Sequence, residues 1–353
     1  MRVQARRCSE FVFFSAPSPG MNSAGDSPWI VACVAAALSG ATLALLELGR
    51  ARLPHAEPSD RSLHDRPISR VGGLAIWAGF LPVLLLAPLP LPSGNVWLAA
   101  WAAVAAVSIA DDWRGVAPIA RLIVHFSAAL LVSAAWAQQD AADPSVVTFA
   151  AIFGRALLLV WCANLFNFMD GSDGLAAAMA ICGFVAYGVA AGWSATPAVA
   201  FFGLAASTFA FFVVNVPPAR TFMGDVGAVP LGFLAGVFGL AGIRAETWPP
   251  WFPLLVFLPF VADASVTVVR RIVRGEHLFV AHKTHYYQRL HQMGAGHGGT
   301  LLLYSILIAG TTASALLTLS IAPAAGWRAV VAWAIAVGGL FAGIDYHWRN
   351  RSP

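Results

Sequence analysis

The feature that most restricts this chain is a succession of uninterrupted apolar runs. A hydrocarbon core ~30 Å thick is crossed by about 20 residues of helix. Runs of that order are centred on residues 28–47, 71–91, 96–110, 119–137, 148–166, 174–192, 197–214, 227–243, 251–269, 300–320 and 327–345. A barrel would show alternating segments of ~10 residues instead. The expected fold is therefore all-α: a polytopic membrane helical bundle of about eleven transmembrane helices, or ten if the short third or the Gly-rich eighth run does not cross. Composition agrees, since only 11% of residues are charged against about 25% in soluble domains. No internal repeat is visible and no soluble domain fits between the runs, so residues 28–348 are expected to form one membrane domain. Residues 1–27 are basic but carry only a short apolar patch, where a secretory signal needs about 7 to 15 apolar residues. They are expected to be a disordered leader or a start misplaced from Met21, with 349–353 a cytoplasmic tail. Cys8, Cys33, Cys162 and Cys182 lack metal or disulfide spacing.

Short cytoplasmic loops carry an excess of Lys and Arg. Placing the first loop inside collects fifteen of the twenty-one cations on one face, among them Arg50, Arg52, Arg61, Arg66, Arg70, Arg114, Arg121, Arg220, Arg270, Arg271, Lys283 and Arg289. The C-terminus then lies in the cytoplasm, on the face that carries these cations. The net charge of +4 suits anionic lipid and substrate. No basic domain for nucleic acid is present. Trp97, Trp101, Trp248 and Trp251 fall near outer boundaries, where aromatic belts form. Small residues throughout suit close helix packing. A homodimer is compatible with the sequence and not decided by it.

The polar segments sort to the same face. "DDWRG" carries Asp111 and Asp112, "NLFNFMDGSDG" carries Asn164, Asn167, Asp170 and Asp173, "FMGDVGA" carries Asp225, and "AHKTHYYQRL" carries His282, Lys283, His285 and Gln288. Taken singly, each has a plain structural reading: an aspartate at a helix start is a cap worth ~1 kcal/mol, and two loop histidines are ordinary. Together, five carboxylates on one face would repel one another unless a cation or strong donors shared the site. Mg²⁺ is usually held by one or two carboxylates with substrate phosphates, so carboxylates with Arg and Gly point to phosphoryl chemistry. An ion-coupled transporter is the rival class, since it also carries membrane carboxylates and histidines. It would place them near mid-bilayer between repeated halves, and here only Asp263 and Arg155 interrupt the run interiors. A metal hydrolase would show HExxH on a helix, which this sequence lacks.

At these residues, together with "RSLHDRPISRVGG" (Arg61 to Gly73), the chain resembles the polyprenyl-phosphate N-acetylhexosamine-1-phosphate transferases, which include the peptidoglycan translocase and O-antigen-initiating enzymes. The resemblance rests on five ordered motifs spread over most of the chain. It implies transfer of a sugar 1-phosphate from a UDP-N-acetylhexosamine to undecaprenyl phosphate, with release of UMP and with Mg²⁺ as cofactor, Mn²⁺ being an admissible substitute. By the same resemblance Asp225 is a metal ligand and Asn167 shares the metal-diphosphate site. Asp111 and Asp112 organise or deprotonate the lipid phosphate, and Asp173 lies near the uridine, supported by Asp170 and Asn164. His282, Lys283, His285 and Gln288 belong to the donor-gripping loop, Arg121 meets phosphate, and Arg70 is a further substrate-binding residue. A phosphate monoester is mostly dianionic at pH 7, so the paired aspartates are expected to position it more than to deprotonate it. Ala228 stands where the family commonly has Ser, and "AHKTHYYQ" lacks the three consecutive histidines of the peptidoglycan enzyme. Those departures favour a simple N-acetylhexosamine donor, as in the O-antigen-initiating branch, without choosing among such sugars.

Overall fold

The computed structural model describes residues 28–49, 53–56, 67–87, 89, 91, 94–140, 146–193, 195–277 and 282–351. Arg50, Arg52, Arg61, Arg66, the first half of "RSLHDRPISRVGG" and the N-terminal 27 residues lie outside that set. Helices stand at each place marked by an apolar run: α1 (Pro28–Leu48), α2 (Gly72–Leu86), α3 (Val96–Arg114), α4 (Pro118–Asp140), α5 (Val146–Met169), α6 (Leu175–Ala191), α7 (Thr196–Asn215) and α8 (Asp225–Arg244). The ninth run is divided into α9 (Trp251–Val256) and α10 (Leu258–Val273). Pro259 explains the break at Phe257, because proline has no N–H and its ring meets the carbonyl four residues back. After the short α11 (Tyr286–Leu290) and a π-helical turn over His291–Ala295 come α12 (Gly296–Ile321) and α13 (Gly326–Arg351).

Eight of these helical segments are long and apolar enough to cross a bilayer, and α2 and α6 are shorter apolar helices. The protein is a multi-span membrane protein. The third run, which looked short, extends as far as Arg114. Helix α8 is the centre of the bundle, apolar on every side and almost wholly enclosed. Its glycines let neighbours approach: a Cβ on Gly232 would lie 2.3 Å from the carbonyl oxygen of Cys162 on α5.

Helix α13 continues through Arg351. A two-residue ribbon, β1 (His55–Ala56) antiparallel to β2 (Ile68–Ser69), accompanies the helices of this all-α fold. The four tryptophans assigned to a belt are buried in the core. Trp248 stacks on Tyr187 with ring centroids 4.8 Å apart, and Trp97 packs edge-on against Phe238. Position near a boundary does not choose between lipid and a neighbouring helix. The tryptophans exposed near those outer ends are Trp29, Trp193 and Trp327.

Candidate active site

Two motifs distant in sequence are one piece of backbone. The N–H groups of Gly72 and Gly73, which open α2 and have no partner within it, donate to the carbonyls of Phe222 and Met223 at 2.9 Å each. The Phe222 N–H donates back to Ser69 at 2.7 Å, and the Trp77 indole donates to the Val226 carbonyl at 2.7 Å. Gly224 then turns the chain into α8 with φ +72°. A Cβ there would lie 2.6 Å from the Arg70 carbonyl oxygen and 2.7 Å from Asp112 Oδ2, so both conformation and space require glycine.

The paired aspartates at the end of α3 meet that turn. Asp112 accepts the N–H of Asp225 at 3.2 Å and of Val226 at 2.9 Å, and so caps α8 from another helix. Asp111 accepts the Val116 N–H at 2.6 Å and pairs with Arg121, whose same guanidinium nitrogen reaches Asp225 Oδ2 at 2.7 Å. Arg121, on the first turn of α4, thus bridges the two carboxylates.

Asp170 follows α5, with Asn164 and Asn167 three residues apart along the same helix before it. Withdrawal from water pushes its carboxyl well above the ordinary range, and repulsion from Asp225, Asp112 and Asp173 adds to this against an opposing pull from Arg70. Asn164 is spent within its helix, donating to the Val160 carbonyl at 2.8 Å. Asp173 is held from outside: its Oδ2 accepts the Ala219 N–H at 3.0 Å, and the Nδ1 of His297, at the start of α12, lies 3.5 Å from Oδ1. Gly174, at φ +75°, donates its N–H to Asn215 at 2.9 Å, and Asn215 in turn donates to the Thr221 carbonyl.

The segment His282 to Leu290 is organised by a residue that no motif named. Asp263 on α10 is fully buried. It accepts the N–H groups of Tyr286 at 2.9 Å and Tyr287 at 3.0 Å and the hydroxyls of Thr267 and Tyr304, and lies 3.2 Å from His285 Nδ1. His285 and Gln288 are buried, and Gln288 accepts the His285 N–H at 3.2 Å. Both therefore serve the loop's own anchorage. His282 and Lys283 are half-buried, with the His282 ring stacked on His285 at 5.0 Å. Tyr287 carries the anchorage to the other motif, donating to the Phe168 carbonyl at 3.0 Å. The structure thus joins Asp111, Asp112, Arg121, Asp225, Asp170 and Arg70 into one charged cluster, flanked by Asp173 and by the 282–290 segment. Sequence reasoning missed Asn215, His297 and Tyr304. It noted Asp263 only as an interruption, although a carboxylate inside an apolar run is itself the signal of a buried polar partner set.

Comparison with known proteins fits this assembly. The family model described as Glycosyl transferase family 4 matches residues 95–243, which span α3 to α8. The decaprenyl-phosphate N-acetylglucosaminephosphotransferase of Mycobacterium leprae is 30% identical over 328 residues, covering 81% of each chain. The chain belongs to glycosyl transferase family 4. Two further relatives of this family 4 protein are a probable undecaprenyl-phosphate N-acetylglucosaminyl 1-phosphate transferase of Bacillus subtilis, 25% identical over 71% of this chain and 73% of its own, and the phospho-N-acetylmuramoyl-pentapeptide-transferase of Synechococcus elongatus, 34% identical over 57% and 60%.

The family 4 site also bears on metal binding. Among the described residues no three His, Cys, Asp or Glu side chains are grouped so as to hold a metal ion unaided. Mg²⁺ does not demand this, because one or two carboxylates and substrate phosphates usually suffice. Asp225 and Asp170 repel each other, and one of them already draws a guanidinium. An oxygen-donor pair short of positive charge fits a hard divalent cation.

Proposed function

We propose that this protein transfers N-acetylhexosamine 1-phosphate from a UDP-N-acetylhexosamine to undecaprenyl phosphate, releasing UMP, as the first membrane step of a cell-surface polysaccharide such as O-antigen. The observation that carries the reading is the cluster of Asp111, Asp112, Asp170 and Asp225 with Arg70 and Arg121 at one end of the bundle. The names of the relatives above support the same chemistry. The polar end faces the cytoplasm of a bacterial inner membrane, as the Lys and Arg distribution favours.

In this reading Asp225, with the Asn167 amide oxygen, holds Mg²⁺, and Asp170 adds negative charge beside it. When bound, the ion would supply positive charge against the donor diphosphate. Arg121 and Arg70 receive phosphate oxygens, Asp173 meets the uridine, and His282 and Lys283 close over the donor. His285 and Gln288 act through the shape of that loop. Asp111 and Asp112 place Arg121 and Asp225 and take no proton, since the lipid phosphate is already a nucleophilic dianion. Asn164 supports the helix below Asn167.

The test is UMP release by purified protein in detergent with undecaprenyl phosphate and a panel of UDP-N-acetylhexosamines, with and without Mg²⁺. Release that needs lipid and metal and disappears in Asp225→Ala is the expected result and identifies the sugar. Wild-type protein silent with every donor would sink the proposal.

A further inference from the structure

We propose that His297 is a positioning residue for the nucleotide-sugar donor, acting through the turn that carries Asp173. The inference rests on the transferase reading above. It starts from a backbone group whose chemistry is not adjustable. The Asp173 N–H points at His297 Nδ1 across 3.3 Å. An amide N–H only donates, so Nδ1 must present its lone pair and the ring proton must sit on Nε2. The Ser172 hydroxyl, 3.2 Å from the same nitrogen, shares that acceptor. With no proton between Nδ1 and Asp173 Oδ1, 3.5 Å apart, the carboxylate is not drawn to the ring. It stays on the Ala219 N–H through Oδ2.

The turn between α5 and α6 is therefore clamped from two sides. The first turn of α12 holds the Asp173 N–H and the Ser172 hydroxyl, while the α7–α8 connection holds Asp173 through Ala219 and the end of α7 holds Gly174 through Asn215. Among the described residues α5 and α6 offer this turn no side-chain acceptor of their own. Asp170 lies two residues before Ser172, so a turn released at His297 would disturb the carboxylates on both sides of Gly171. His297 is itself partly exposed, and its ring meets that of His291 edge-on at 4.3 Å. The sequence around it, "GAGHGGT", has glycines on both sides, leaving the imidazole as the only large side chain there.

The requirement is for an acceptor at the position of Nδ1, and this separates two conservative substitutions. Asparagine carries its carbonyl oxygen two bonds from Cβ, as Nδ1 is. Glutamine carries its own three bonds away, as Nε2 is. With full-length protein in detergent, UMP release is measured against donor concentration at saturating undecaprenyl phosphate, and then against lipid at saturating donor. His297→Gln and His297→Ala are expected to raise the donor KM about tenfold with kcat within about threefold, the scale of a lost hydrogen bond to a placed group. The lipid KM should be unchanged and His297→Asn should lie near wild type. Ser172→Ala should cost less, and its combination with His297→Ala no more than His297→Ala alone, as expected of one shared contact.

A Gln variant indistinguishable from Asn, or losses spread equally over both substrates, would overturn the assignment. If His297→Gln fails to fold, shown by melting and gel filtration, the Asn variant and the Ser172 cycle decide alone: additive losses reject the shared contact. Wild-type protein inactive with all donors is a separate outcome that removes the transferase reading and this inference with it.

Discussion

Asp112 holds Asp225 through its backbone, not its side chain: the carboxylate at the end of α3 receives the Asp225 N–H at 3.2 Å and the next N–H at 2.9 Å. The residue proposed to bind metal is thus oriented by a cap supplied from another helix. Asp112→Ala should destabilise the protein by about 1–2 kcal/mol, the worth of a cap, whereas Asp112→Asn keeps one acceptor oxygen and should lose less. Melting curves in detergent measure this. The activity lost in Asp112→Asn should not return at high pH; a return would restore a role in proton removal.

Arg121 bridges Asp111 and Asp225. Its removal leaves two carboxylates facing each other without positive charge. Arg121→Ala should melt lower than wild type, and added Mg²⁺ should recover most of that loss by standing in for the guanidinium. Arg121→Lys should fall between, since one guanidinium nitrogen makes both contacts and a lysine keeps the charge on a shorter stem that does not reproduce that position. A deficit that ignores Mg²⁺ would place the cation elsewhere.

Asp170 gives the stability a sign with pH. Its carboxyl is raised by withdrawal from water and by its acidic neighbours, so the folded protein binds this proton more tightly than the unfolded chain. The contribution is complete below the unfolded value of about 3.9 and is lost as pH rises through the higher folded value. Ligand-free protein should therefore lose melting temperature with rising pH, and Asp170→Asn should flatten that slope. Mg²⁺ with UDP-sugar should oppose the loss, because a bound cation favours the ionised carboxylate. An unchanged slope in Asp170→Asn would move the titration to another group.

Asp263 gathers donors from α10, α11 and α12 into one carboxylate. Asp263→Ala leaves several buried donors unsatisfied, a loss of about 1–3 kcal/mol for each group that finds no water. Little folded protein should be recovered. Asp263→Asn should fold but loosen the 282–290 segment, seen as faster amide hydrogen exchange at Tyr286 and Tyr287.

The sequence made the helices legible because an apolar run has nowhere to go but the interior or the bilayer, and every run became a helix. It also located the polar end, since carboxylates and arginines cannot be scattered at random through such a chain. What it hid were partnerships. His285 and Gln288 are of types suited to a donor site, yet both are turned inward: His285 to a fully buried carboxylate 22 residues away in sequence, Gln288 to the His285 N–H. Asp112 looked like half of an acidic pair and is a cap, a fact decided by where α8 begins. His297 and Asn215 were passed over because each meets its partner only after α12 and α7 have packed.

The placement of Tyr304 and His297 has a consequence for how the protein is made. The carboxylate of Asp263 and the turn bearing Asp173 both wait for α12, while the other charged groups of the cluster belong to segments that leave the ribosome earlier. Until the tenth apolar run has entered the membrane, a nascent chain holds a buried acid missing one of its hydroxyl donors and a donor turn held on one side only. The order of synthesis thus leaves these two anchorages to α12, and α13 then closes over the same segment through Asp345, which accepts from Arg289 and Tyr286.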